Sequence, residues 1–300
     1  MALSTKIIKK RVRSIGNTKK ITKALEMVSA VKMRKAVAAV LASRDYSGAA
    51  WNLVLSLAKK ANAADHPLLT QRAEIKKIGF VLISSNRGLC GGFNSQIISQ
   101  AISYAKNQPG EAEWIAIGKK GAEFLARSGE KLVAEFDKPD LIAGLTDILP
   151  IAKMLIKDYV NGNYDKIILA YTDFYSAMTQ KPKIKQLLPF EPVKDADLGS
   201  VGSPATEKTQ TTFEDFEYLF EPTKTEILNL FLPRLIEIQL YQAMLESAAS
   251  EHSARMLAMK NASSAAADMI DSLTLAFNQA RQASITREIA EITGSKAALE

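Results

Sequence analysis

Hydrophobic positions near the start of the chain recur at helical rather than strand spacing. Ile8, Val12 and Ile15 are followed by Ile21, Leu25, Val28 and Val31, and alanines take over further on. No proline precedes Pro67, and Gly16 and Gly48 are the only glycines in that stretch. The pattern predicts one helix from about Ser4 to about Ala64, ended by Pro67. At 1.5 Å per residue it would span roughly 90 Å. The far end mirrors it. From Arg234 to Thr293 there is neither Pro nor Gly. Leu235, Ile238, Gln242, Leu245, Ala249, His252, Met256, Met259, Ser263, Ala266, Ile270, Leu273, Phe277, Ala280 and Ser284 alternate in steps of three and four. A sustained seven-residue repeat makes a left-handed coiled-coil seam, and small residues on it allow close approach. A helix of this kind is unstable alone, so the two terminal helices are expected to pair, antiparallel if the middle of the chain forms one body at one end.

The middle changes period. Ile75 to Ser85 reads as a buried strand, followed by a Gly-rich turn and an amphipathic helix, Asn94 to Asn107. Glu113 to Gly118 reads as a strand, Lys119 to Ser128 as a helix, and Lys131 to Asp137 as a strand. Thr146 to Val160 reads as a helix despite Pro150, Tyr164 to Phe174 as a strand, and Lys183 to Leu188 as an edge strand. Strand–helix alternation with short connections argues an open α/β sheet. Residues 191–212, rich in Gly, Ser, Thr, Pro and acids, read as an exposed loop. The expected fold is therefore α/β: a long antiparallel coiled coil of terminal helices with an inserted open, Rossmann-like sheet domain. The expected divisions are 1–66 for the N-terminal helix, 67–222 for the globular domain and 223–300 for the C-terminal helix that pairs with 1–66.

Composition narrows the function classes. The 300 residues are 47% hydrophobic and 24% charged, an ordinary balance for a chain that buries a core. No apolar run approaches the roughly 18 residues of a membrane span. The single cysteine, Cys90, excludes an intrachain disulfide and fits a reducing compartment. Met1 to Ser14 is basic and acid-free and loosely resembles a transit peptide, but the helical pattern runs straight through it, so a bacterial chain is the simpler reading. Charge is strongly asymmetric. Residues 1–60 carry fourteen Lys/Arg and only Glu26 and Asp45 as acids, a formal +12, against 25 Lys/Arg and 30 acids, or −5, in the remainder. A field of one sign implies an acidic partner: nucleic acid, anionic lipid or an acidic protein surface.

Candidate chemistry is sparse. Asn86-Arg-Gly-Leu-Cys-Gly-Gly-Phe-Asn94 lies where phosphate loops sit, between a strand and a helix. It fits neither G-x-G-x-x-G nor the Gly-Lys-[Ser/Thr] ending of a P-loop. A tight turn needing positive φ at Gly91 or Gly92 is the plainer reading. His66 stands in an Asp-His-Pro turn and His252 on the helical seam. Two separated histidines and one cysteine do not make a zinc site. No nucleophile–base set and no defensible carboxylate pair appears, so neither an enzyme nor a cofactor is expected.

Three blocks resemble the gamma subunit of F-type ATP synthases, bacterial type: Ile15 to Lys35 (IGNTKKITKALEMVSAVKMRK), Arg87 to Asn94 (RGLCGGFN), and Leu245 to Ala262 continuing to Asn278 to Ile292. Thr179-Gln-Lys-Pro182 and Phe220-Glu-Pro222 fit the same pattern. The resemblance implies a non-catalytic central rotor stalk that transmits torque between an ion-driven membrane ring and a catalytic head, coupling ion flow to ATP synthesis or hydrolysis. The implied partners are the alpha and beta subunits of the head, with one gamma inside their hexamer, the epsilon subunit and the membrane ring of c subunits. The implied location is peripheral, on the cytoplasmic face of the cell membrane. Carried over by position, Leu25 with Lys23, Arg34 and Lys35 would meet acidic lever loops of the head. Arg281 and Gln282 would meet a catch loop, and Ile285, Ile289 and Ile292 would sit in a bearing sleeve, ordinary coiled-coil packing being the other reading of the isoleucines. Asn86, Leu25, Ala265 and Phe277 depart from the residues frequent in the family. The alternative is a basic coiled-coil nucleic-acid-binding protein.

Overall fold

A computed structural model describes residues 5–60, 66–72, 74–140, 142, 144–190 and 224–297. The expected loop 191–212 lies outside them. The chain divides into two compact units, one of residues 30–255 and one of residues 1–29 with 256–300.

The larger unit contains a five-stranded sheet. Its elements are β1 (Lys77–Ile83), α2 (Phe93–Lys106), β2 (Glu111–Ile117), α3 (Lys119–Arg127), β3 (Leu132–Phe136), α4 (Leu149–Val160), β4 (Lys166–Phe174) and β5 (Gln180–Leu188), between the long helices α1 (Thr5–Lys60) and α5 (Lys224–Ala297). The strand order is β3-β2-β1-β4-β5. β1 lies parallel to both β2 and β4, with Phe80 opposite Trp114 and Ile168, and β5 is antiparallel to β4. The central strands read as unbroken apolar runs because both faces are covered. Phe80, Leu82, Trp114, Ala116, Ile168 and Ala170 pack under α2 and α3. The alternate positions Val81, Ile83, Ile115, Ile117, Leu169 and Tyr171 pack against α4 and the first turns of α5.

Two boundaries differ from the sequence expectation. Pro150 sits in the first turn of α4, so the α-helix begins at Leu149, after a 3-10 turn at Leu145–Asp147. β5 begins at Gln180 and includes Pro182, which an edge strand tolerates because one side of it has no ladder partner. α5 begins at Lys224, within the expected 223–300, and runs through Pro233. An interior proline costs about 3 kcal/mol. Leu228, Leu232, Leu235, Ile236 and Leu240 are buried around it, and each such side chain contributes roughly 1.5–3 kcal/mol, so burial wins.

Within this unit α1 and α5 run antiparallel. The Ser43 hydroxyl donates to Gln242 Oε1 at 2.7 Å. Ala36 shares an apolar cluster with Ala248 and Ala249, so position rises along one helix as it falls along the other.

In the smaller unit the buried positions of α1 are Ile8, Thr22 and Ser29, and those of α5 are Met259, Ser263 and Ala266. The seam positions Ile270, Leu273, Phe277 and Ala280 are half-buried, and Ser284 is exposed. Of the apolar residues that mark α1 as a helix, Ile8 is buried, whereas those from Ile21 to Val31 do not mark its buried face. Ile21 is 61% exposed, and Leu25, Val28 and Val31 are exposed as well. Beyond Ile8, the buried positions of α1 there are the small polar Thr22 and Ser29.

Gly118, between β2 and α3, has φ +106, and a Cβ there would come within 2.6 Å of the Ser84 carbonyl oxygen. Gly118→Ala is expected to cost about 3 kcal/mol. The check is the urea midpoint of the full chain, and an unchanged midpoint would refute the close-approach argument.

Candidate partner-binding surface

The residues assigned by position lie on the two long helices. On α1, the Lys23 ammonium pairs with Glu26 at 3.0 Å. A surface pair one turn apart contributes little, so the cation remains available to a partner. Leu25 is exposed beside it, as are Ile21, Met27 and Val28. Arg34 and Lys35 belong to the larger unit and are exposed, the Arg34 Nε donating to the Ala30 carbonyl at 3.4 Å. On α5, every residue from 281 to 295 is exposed, Arg281 and Gln282 included. Ile285, Ile289 and Ile292 are 48%, 57% and 69% exposed. Their i, i+4, i+7 spacing forms an apolar stripe on one helix face.

Sequence reasoning missed the exposure of Ile21, Met27 and Val28. The available signal was the pair of small polar residues at Thr22 and Ser29, spaced by seven, which the apolar count overlooked.

A second constellation, in the larger unit, fixes the glycine loop. Gly91 has φ +57 as expected, Gly92 does not, and Leu89 adopts φ +63 with its side chain 67% exposed. Below the loop the Asn94 amide donates to the Ser85 hydroxyl at 2.7 Å and to the buried Cys90 Sγ at 3.3 Å. Asn86 accepts from the Lys119 and Lys138 backbone N–H groups and donates to the Lys138 carbonyl. The amide at this position is thus fully used, since a carboxylate would accept these bonds but could not donate the third. From α5, Arg255 donates to the carbonyls of Arg87 and Gly88 and to Glu251 Oε1, the last at 2.9 Å. The other Glu251 oxygen takes a hydrogen bond from the buried Lys138 ammonium at 2.9 Å. Burial pushes the Glu251 carboxyl up, but Lys138 and Arg255 together hold it below the usual carboxylate range. Burial lowers the His252 imidazole, whose Nε2 lies 3.3 Å from the Asp140 carbonyl. The Lys32 ammonium at 2.9 Å keeps the Asp140 carboxyl low. No cluster of metal-ligating groups occurs among the described residues. No described helix is long and apolar enough to cross a membrane.

Comparison with known proteins accounts for both long helices and the sheet together. The family model described as ATP synthase matches residues 4–299. The chain is similar to the ATP synthase gamma chain of Pelotomaculum thermopropionicum, 40% identical with 99% of each chain covered. It is similar also to that of Legionella pneumophila strain Corby, 38% identical over 98% of this chain and 99% of the relative. Its fold resembles a chain of the central stalk and c-ring of the Tetrahymena thermophila mitochondrial ATP synthase, with a TM-score of 0.61 and 25% identity over 81% of this chain and 99% of that one. A chain of the Euglena gracilis mitochondrial ATP synthase shares the fold at a TM-score of 0.65 and 17% identity, over 99% of this chain and 94% of that one. With near-complete coverage in both directions, the chain belongs to the ATP synthase gamma-chain family.

Proposed function

We propose that the chain is the central rotor stalk of an F-type ATP synthase, transmitting torque between an ion-driven membrane ring and a catalytic head without catalytic residues of its own. The observation that carries this reading is the last part of α5. A single helix with all of residues 281–295 exposed and three isoleucines along one face lacks the packing that most helices depend on. An enclosing apolar collar supplies it, and the ring formed by the alpha and beta subunits is such a collar. Ile285, Ile289 and Ile292 turn within that sleeve, and Arg281 and Gln282 meet a catch loop. Lys23, Leu25, Arg34 and Lys35 meet acidic lever loops, the basic charge steering the contact and the apolar side chains giving it purchase.

The same reading places the epsilon subunit and the ring of c subunits as partners and the complex on the cytoplasmic face of a bacterial cell membrane, this chain being peripheral to it. Family membership gives the +12 of residues 1–60 an acidic protein as its counterpart, and no observation favours the nucleic-acid alternative.

Replacing Arg281 and Gln282 together with alanine is expected to lower ATP synthesis by the assembled enzyme roughly tenfold, about 1.4 kcal/mol. Undiminished synthesis in membrane vesicles would remove their role. Lys23→Glu, Arg34→Glu and Lys35→Glu combined should reduce ion pumping per ATP hydrolysed. An unaltered pumping ratio, read by a pH-sensitive dye in inverted vesicles, would count against the charge argument.

A further inference from the structure

Where the segment after β3 meets α5, the His252 ring is buried and both of its nitrogens face groups of fixed polarity. Nε2 lies 3.3 Å from the Asp140 carbonyl oxygen, which only accepts. Nδ1 lies 3.4 Å from Nη1 of Arg255, which only donates. Together the two contacts require the neutral imidazole with its proton on Nε2. The same guanidinium reaches the glycine loop, with Nε 3.4 Å from the Gly88 carbonyl oxygen and Nη2 3.2 Å from that of Arg87. Charged groups approach the ring from four elements. On α5, Glu251 takes both Lys138 and Arg255, each at 2.9 Å. On the segment after β3, which also supplies Lys138, Asp140 takes Lys32 of α1 at 2.9 Å, and Asp137 pairs with Lys119 at 3.5 Å. On the glycine loop, Arg87 acts on Asp140 through its charge. Glu251 and Asp140 are thus already engaged by cations. Protonating Nδ1 would turn an acceptor into a donor and set an imidazolium against a guanidinium, which a buried site disfavours.

We propose that His252 is a proton-sensitive latch on α5: the neutral ring seats Arg255 on the glycine loop after β1, and protonation of Nδ1 unseats that guanidinium and loosens the loop from α5. Burial is the main cause that holds the imidazole below its ordinary 6.5; Arg255 and Lys138 add to it, while Glu251 and the Asp140 carbonyl oppose it. Below about 6.5 the unfolded chain therefore takes up a proton that the folded chain resists. The latch's stabilisation is complete above about 6.5 and is lost as pH falls through the lowered folded value. His66 is buried as well, its Nδ1 accepting from the Leu68 N–H at 3.1 Å, and burial lowers it in the same direction. Overall stability against pH therefore does not separate the two histidines, and the ring and the loop have to be read directly. Nothing in this latch depends on the rotor reading.

The chain has two histidines, so nitrogen-labelled histidine in the full-length protein gives two sets of ring resonances, and His252→Gln identifies its own. At about pH 7.5 the His252 ring should be neutral with its proton on Nε2. A cation there, or a proton on Nδ1, would overturn the proposal. Cys90, the single cysteine, is buried beneath the same loop and reports on its opening. Its reaction with a dipyridyl disulfide, relative to free cysteine at the same pH, should quicken about tenfold between about pH 7 and about pH 5. Glutamine offers an acceptor and a donor but no titrating proton, so in His252→Gln the relative rate should stay level. In Arg255→Gln, which has no guanidinium to release, it should be raised equally at both ends of that range. If His252→Gln does not fold, His66→Gln supplies the assignment and Arg255→Gln the comparison. A relative rate that stays level in the unsubstituted chain, or that rises alike in it and in the variants, would also overturn the proposal.

Discussion

Two long helices can lie close together along a narrow line only where the side chains between them are small, and that steric requirement orders the rest of this molecule. In the larger unit the line contains Ala36, Ala248 and Ala249, with Ser43 hydrogen-bonded to Gln242. In the smaller unit the buried positions are Thr22, Ser29, Ser263 and Ala266, with Ile8 and Met259. Between Thr22 and Ser29 the bulky apolar residues lie on the outer face, where Met27 and Val28 stand exposed, as does Ile21. A pair built this way has little hydrophobic surplus of its own. Its outer faces provide apolar surface for whatever surrounds it, consistent with a chain that is completed by its assembly.

α5 changes character partway along. Its first turns, Leu228 to Met244, are apolar and seal one face of the sheet. From Glu246 to Ser253 nearly every residue is polar and still buried. Burying such groups is expensive unless each is paired, and a network with one partner removed is worse than none. Here Ser250 donates to the Thr172 carbonyl, Ser253 to the Ala177 carbonyl, and Glu251 takes both Lys138 and Arg255. Directional bonds of this kind permit one register of α5 on the sheet, whereas apolar contacts alone would tolerate a slip by a turn. Register matters more than raw stability where a long element must hold its rotational setting.

Much of the fold was legible because its signals are local. The central strands announce themselves as apolar runs, and the heptads of α5 place buried residues from Leu235 to Ala266 with Met256, half-buried, as the exception. The turn at Gly91 followed from its glycine. What failed depended on packing. Ile21, Leu25 and Val28 obey helical spacing whether they face a partner or solvent, so periodicity identified the helix and not its inward side. The surface stretch near Arg281 to Ile292 came from family resemblance, because exposed residues leave no pattern that distinguishes a partner's face from a solvated one. The Lys138–Glu251–Arg255 cluster was invisible because it joins positions more than a hundred residues apart.

The glycine loop after β1 occupies the place where many open parallel sheets receive a nucleotide, beside the point at which strand order reverses between β1 and β4. Phosphate recognition there depends on backbone N–H groups aimed outward. In this chain the outward groups include the carbonyl oxygens of Arg87 and Gly88, and the guanidinium of Arg255 sits on them. The polarity of the crevice is inverted, and its occupant is the chain's own helix rather than a soluble ligand. The place that an anion would hold is taken by a guanidinium, so the crevice is filled by a cation that belongs to the chain.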